Sequence, residues 1–277
     1  GNGLAINDPN SGYDETGFSA VENHCYDPDY KDKKTDQNIS NMYANREPRF
    51  YASVVYQGRS WFKKWMNGNP NYIVDFSAGG GNDLSNGDNV KTGYMLGKFK
   101  NRTVNHASGD TQSWKRVSII YRLAEFYLFY AEALNETDPS NPDIIKYIDM
   151  VRERAGIPGY QTMNDNGIKT GIIGNYDKQF DAIQHERYVE LYCEGQRYFD
   201  IRRWMICGDK DRIGCDQTRF YGMNMKGSKD KTPGEPTSYY TRTKVENRQW
   251  TDKLYLYPIH QNVIELANGR IPQNYGW

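Results

Sequence analysis

Charge of one sign, long hydrophobic runs and paired cysteines are all scarce in this sequence, and each scarcity removes a class of function. Lysine plus arginine and aspartate plus glutamate both number 35, so no net field draws the chain to nucleic acid or to an acidic membrane surface. No apolar stretch reaches the roughly 18–20 residues of a spanning helix, and no signal peptide opens the chain. The four cysteines, Cys25, Cys193, Cys207 and Cys215, have no CxxC spacing, and His24 beside Cys25 is an isolated pair, so no zinc site is predicted. Cys207 and Cys215 flank a short loop, where a disulfide and two free thiols both fit. The chain opens at Gly1 rather than a methionine, which reads as a processed or excised segment whose targeting information has been removed.

Aliphatic residues are sparse as well. The apolar fraction is 37%, of which 23 tyrosines, 10 phenylalanines and 6 tryptophans are a large part. With 277 residues the chain can bury a core in one or two domains. That core is therefore expected to be aromatic, and any site with it.

The strongest pattern lies at 183–205, IQHERYVELYCEGQRYFDIRRWM. Tyr188, Leu191, Tyr192, Gly195, Phe199 and Arg202 recur at three- and four-residue steps, which predicts one helix with an aromatic face. Glu186, Glu190 and Glu194 form a second stripe at four-residue spacing, with Arg187, Arg197, Arg202 and Arg203 as the cations expected to offset it. Such pairs can be structural or, as acid beside base, catalytic; structural pairing is the expectation. A glycine inside a helix costs about 1 kcal/mol against alanine, so Gly195 is expected to admit a close neighbouring backbone.

Residues 1–46 read as loop. Asp27, Asp29, Asp32 and Asp36 crowd there but lack the glycine and terminal glutamate of a calcium loop, so a solvated turn is predicted. The stretch MYANREPRFYASVVYQG at 42–58 predicts a turn, a helix start or extended segment, then a short strand. Trp61 and Trp65 follow at i,i+4, with Tyr72 in the loop beyond. The glycine-rich run at 77–93 suggests a phosphate cradle, but no helical period follows it and GxxxGK is one residue short of the nucleotide-binding spacing, so nucleotide binding is rejected.

A helical hairpin comes next. Ile119, Ile120, Leu123, Tyr127, Tyr130, Ala131 and Leu134 outline an apolar face from Ser118 to Glu136. Asn141 then caps a second helix with Pro142 at its first position, Ile145, Ile148 and Val151 as its face, and Gly156 at its end. Residues 207–250 lack periodicity and read as a long surface excursion. The chain closes on LYLYPIHQNVIELANGRIPQNYGW, a short strand, a turn at Pro258 and a helix through Ala267.

Several of these segments resemble the SusD/RagB family, outer-membrane glycan-binding lipoproteins of nutrient-uptake systems. Glu186-Arg187, Glu190-Leu191, Glu194-Gly195, Arg197, Phe199-Asp200 and Arg202-Arg203-Trp204 are similar to the family's C-terminal signature helix. The REPRFY segment, TGYMLGKF, RLAEFYLFYAEALNE and the terminal QNYGW resemble further family segments in the same order, with His260 and Tyr275 where prolines are usual. The resemblance implies a mainly α, SusD-like fold with a tetratricopeptide-like hairpin, short strands and long irregular loops. It implies that residues 1–277 are the C-terminal region of a longer protein: a loop-rich part at 1–115, the hairpin at 116–158, the signature helix at 183–205 and a terminal strand, turn and helix at 250–277. One hairpin cannot bury its own faces, since helical repeats stack in about threes, so its neighbours are expected upstream.

The function so implied is non-catalytic capture of oligosaccharide at the cell surface and delivery to a SusC-like TonB-dependent outer-membrane transporter. The membrane would be reached only through a lipid anchor outside this chain, and no cofactor or metal is expected. Aromatic rings that stack on sugar faces would carry recognition. The candidates are Trp61, Tyr72, Tyr43 and Trp114, while Arg49, Glu190, Arg197 and Trp204 are assigned to scaffold. A tetratricopeptide-like protein scaffold competes with this reading. So does a glycoside hydrolase, although no carboxylate pair stands in an active-site context.

Overall fold

The structure, a computed structural model, describes residues 2–23, 34–61, 72–87, 89–100, 119–209 and 220–277. The architecture is mainly α with short strands, in two bodies. The first carries three two-stranded antiparallel sheets: β1 (Phe18–Asn23) with β2 (Lys34–Ser40), β3 (Val54–Val55) with β4 (Met95–Leu96), and β5 (Phe220–Met223) with β6 (Arg242–Glu246). Helix α1 (Pro48–Ser53) opens on proline, whose missing N–H costs nothing in a first turn, and gives way to extended backbone at the β-branched Val54-Val55 pair. Its core is aromatic, as composition predicts. Tyr43 stacks on Tyr56 with ring centroids 4.8 Å apart, and Tyr51, Tyr239, Tyr240 and Phe76 close around them with Ile39, Val55 and Val74.

The second body is helical: α2 (Leu123–Thr137), α3 (Asp143–Arg154), α4 (Tyr160–Asp165), α5 (Tyr176–Glu190) and α6 (Gln196–Arg203). The predicted hairpin is α2–α3. Asn141 Oδ1 accepts from the Asp143 amide at 3.0 Å, and Gly156, at φ +79°, follows the last turn of α3. Leu128, Ala131, Ile144, Ile145, Ile148 and Val151 are buried there against Ala182 and Ile183 of α5. Two expectations are corrected. The apolar face of the first helix is right in part: Ala131 is buried and Tyr127 and Leu134 pack against the core, but Ile119 and Ile120 precede α2, Leu123 and Tyr130 are 62% and 44% exposed, and the buried anchor is Leu128. Apolar side chains occur on several sides of α2, so period alone cannot choose the inward one. A neighbour for the hairpin also lies within the chain. Helix α5 runs antiparallel along α2, with Gln179 Nε2 donating to Asn135 Oδ1 at 2.7 Å near one end.

The single helix expected over 183–205 is two helices. Helix α5 ends at Glu190, and Cys193 and Gly195 adopt φ of +59° and +86° before α6 begins. The Lys98 ammonium donates to the carbonyls of Glu190 at 2.9 Å and Tyr192 at 3.2 Å, and Arg122 Nη2 donates to the Glu190 carbonyl at 2.7 Å. These cations occupy acceptors that a continuing helix would use, at the end where the helix dipole favours positive charge. The terminal strand is also absent. Asp252–Tyr255 forms a 3₁₀ turn, followed by α7 (Gln261–Leu266), and Trp277 Nε1 donates back to the carbonyls of Lys253 at 2.9 Å and Leu256 at 3.1 Å. Among the described residues no helix is long and apolar enough to cross a membrane.

Candidate functional site

Two of the predicted aromatics meet. An antiparallel bridge joins Ser60 to Ile73, with the Trp61 amide donating to the Tyr72 carbonyl at 2.9 Å and the Gly58 amide to the Val74 carbonyl at 2.9 Å. Extended backbone alternates its side chains, so Val74 and Phe76 enter the core while Ile73 faces outward. Trp61 packs against that aromatic core and, like Tyr72, remains half-buried.

The glycine-rich run beside them is a stack of turns closed by its own side chains. Asp83 Oδ1 accepts from the Ser85 amide at 2.9 Å, Asp83 Oδ2 from the Gly79 amide at 2.9 Å, and Asn86 Nδ2 donates to the Gly81 carbonyl at 3.0 Å. The Tyr72 hydroxyl lies 3.6 Å from where a Cβ on Gly81 would sit, which sets the ring against this stack. Asp75 ties the bridge to its surroundings. It accepts from Gln57 Nε2 at 2.8 Å and from Lys229 Nζ at 2.5 Å, which brings the long excursion alongside. Burial raises the Asp75 carboxyl, but hydrogen bonds from Lys229, Ser77 and Gln57 outweigh it and hold the group below its ordinary range.

Tyr43 stands elsewhere. It is 2% exposed and ringed by Phe50, Tyr56, Tyr94 and Tyr240, and burial pushes its hydroxyl well above the ordinary tyrosine range. A tyrosine enclosed in this way has no face for a ligand, so Tyr43 is core rather than platform. Trp114, Trp65, Cys25 and Cys215 lie outside the described residues, as do Asp27, Asp29 and Asp32. Asp36 is buried and accepts from the Ser60 amide and hydroxyl, which anchors the same bridge.

The glutamate stripe was the other place for chemistry, and its carboxylates are all engaged. Glu186 accepts from Arg49 at 2.5 Å and Arg152 at 3.3 Å; Glu190 accepts from Arg49 at 2.9 Å and also from Arg122 and Arg154; Glu194 accepts from Arg122 at 2.6 Å and from Lys98. Burial raises Glu190 and Glu194, but these cations outweigh it, so both lie below the ordinary carboxylate range. A group held ionised in this way is poorly placed to donate a proton.

The expected cation partners are corrected as well. Arg187 pairs in bidentate fashion with Asp200, at 2.9 Å twice, and Arg203 pairs with Glu132, which also accepts from Trp204 Nε1 at 2.7 Å. Arg197 and Arg202 lie over the rings of Tyr188 and Tyr198, at 4.7 and 3.6 Å. The true partners come from distant segments, and the sequence held a sign of it. At four-residue spacing Glu186, Glu190 and Glu194 meet only one another, Ala182 and Tyr198, and the segment's own arginines approach only at three residues, Arg187 before Glu190 and Arg197 after Glu194.

Comparison with known proteins places these features in a family. The model of the SusD family matches residues 6–277. A SusD-like protein P2 of Formosa agariphila is 37% identical over 82 residues, which are 30% of this chain and 16% of that protein. The crystal structure of a SusD-like protein from Bacteroides fragilis aligns with 87% of this chain and 41% of its own, at 30% identity and a TM-score of 0.67. A further solved structure aligns with 93% of this chain and 39% of its own, at 26% identity and a TM-score of 0.67. The chain thus spans about two fifths of the length of these solved structures.

Proposed function

Because the chain belongs to the SusD family, we propose that it forms part of a cell-surface protein that captures oligosaccharide without chemically changing it. The captured glycan passes to a SusC-like TonB-dependent transporter in the outer membrane, where the longer protein is held by a lipid anchor. The observation that carries the reading within this chain is the bridge that sets Trp61 beside Tyr72, both half-buried, against a turn stack rich in hydroxyl and amide groups. Rings of this kind offer flat apolar faces to sugar C–H groups, and the neighbouring polar side chains suit hydroxyls. The engaged state of Glu186, Glu190 and Glu194 supports binding over hydrolysis, which needs one carboxylate free to protonate.

Affinity electrophoresis through plant, host and microbial polysaccharides tests it, with Trp61→Ala beside the native protein. Retardation by one glycan class is expected, weakened about tenfold in Trp61→Ala, a loss of about 1.4 kcal/mol. No retardation by any glycan would overturn the reading. It would favour a protein-binding scaffold, for which the exposed Leu123, Phe126 and Tyr130 on α2 are the supporting observation.

A further inference from the structure

The buried apolar residues of the two bodies form separate clusters. One gathers Val21, Ile39, Tyr43, Val55, Phe76 and Tyr239 with their neighbours; the other gathers Leu128, Ile144, Ile148, Met163 and Ile183 with theirs, and among the described residues none belongs to both. The layer between them is rich in charge. Arg49 reaches from α1 in the first body to Glu186 and Glu190 on α5 in the second. Lys98, just beyond β4, reaches Glu194 and the carbonyls that end α5. Arg152 joins Glu186 to the chain's opening segment, where it donates to the Gly3 carbonyl at 3.0 Å. Apolar contact across the layer includes Pro48 against Gly156.

We propose that this layer is an ionic joint: the sheet-bearing and helical bodies are separate cooperative units, held in register by Glu186, Glu190, Glu194 and their cations, and acid parts them before either core unfolds. Apolar burial within each body carries no charge and is indifferent to pH, whereas the joint depends on carboxylates staying ionised. Among the described residues the groups that face the three glutamates are Glu47 just before α1 and Arg49 within it, Lys98 beyond β4, Arg122 at the start of α2 with Glu125 behind it, Arg152 and Arg154 from α3, and Tyr160 from α4; His185 lies on α5 itself. Glu190 and Glu194 titrate below their unfolded value, so their contribution is present above about pH 4.3 and is lost as pH falls through the lower folded values. The guanidiniums keep their charge throughout. Each protonation therefore leaves buried cations facing one another, which drives the bodies apart.

Thermal unfolding followed by calorimetry, with hydrogen exchange read on peptides from β3–β4 and from α2–α3, tests the joint on the native protein across pH 7 to 3. One shared transition is expected at pH 7 and two resolved ones below about pH 4, each peptide set following its own. Glu190→Gln should bring the split to neutral pH, and Arg154→Gln, which removes a partner at the surface, should shift its onset to higher pH by less. Lys146→Gln breaks only the exposed pair with Asp143 and should leave the onset unchanged. A single coincident transition at every pH would overturn the joint, as would Lys146→Gln moving the onset as far as Glu190→Gln. If Glu190→Gln does not fold, the native pH series with Arg154→Gln decides.

Discussion

Gly195 offers a test of why the signature segment breaks. Two reasons for glycine predict different rankings of substitutions. If another backbone packed against it, cost would rise with side-chain size. The structure assigns the other reason: a Cβ there would meet nothing within 4 Å, while φ is +86°. An L-residue in the left-handed region costs roughly 1–2 kcal/mol, so Gly195→Ala is expected to lose about that much. For a chain of this size the loss corresponds to a fall in Tm of roughly 2–8 °C. Asparagine tolerates that backbone better than alanine despite its bulk, and the protein already uses it so at Asn38, Asn45 and Asn268. Valine, stiff at Cβ, should be worst.

The expected order of urea midpoints is therefore glycine, asparagine, alanine, valine, with the urea slope unchanged so that midpoints report stability. Gly227 supplies the contrast. Its Cβ would fall 2.4 Å from the Ser238 carbonyl carbon and 2.5 Å from the Tyr239 amide nitrogen, so both alanine and asparagine must force two backbone segments apart. Overpacking of that kind costs typically 1–3 kcal/mol and grows with size, so asparagine should be worse than alanine there. The order of the two substitutions should reverse between the two sites. If asparagine were worse than alanine at Gly195 too, the backbone account of the break would be refuted.

Three further perturbations bear on the helical body. Glu186→Ala leaves the Arg49 and Arg152 guanidiniums buried beside an uncharged methyl; a loss of about 3–5 kcal/mol in urea unfolding is expected, and one under about 1 kcal/mol would contradict the pairing. Glu125 is buried with Oε1 unbonded, and burial raises its carboxyl above the ordinary range despite the nearby Arg187. A raised folded value means that the proton's stabilisation is full below the unfolded value and is lost as pH rises through the folded one. Glu125→Gln should thus stabilise at pH 7 relative to the native chain and change little near pH 4, as urea curves at both would show. Ile148→Ala opens a cavity between α2, α3 and α5 and should cost about 2–5 kcal/mol, with the circular dichroism spectrum retained.

Local signals were legible in the sequence, and long-range ones were legible only as debts. The α2–α3 hairpin could be read because its caps, Asn141 and Gly156, act within a few residues of the helix they bound. The aromatic core could be read from composition, yet the same composition could not say that Tyr43 belongs to that core and Trp61 to its rim. Burial is set by what crosses a ring from elsewhere in the chain, here Tyr94 and Tyr240, each far from residue 43 in sequence. The glutamate stripe shows the limit best. Spacing alone establishes that three carboxylates at four-residue steps need cations, and it offers Arg187 and Arg197 at three-residue steps; the partners found are Arg49 and Arg152 on Glu186, and Lys98 and Arg122 on Glu194, and these last two also take the Glu190 carbonyl at which α5 stops. The break and the pairing thus support each other. A reading that begins with one continuous helix removes the carbonyls that recruit the cations, and so looks for the glutamates' partners on the wrong element.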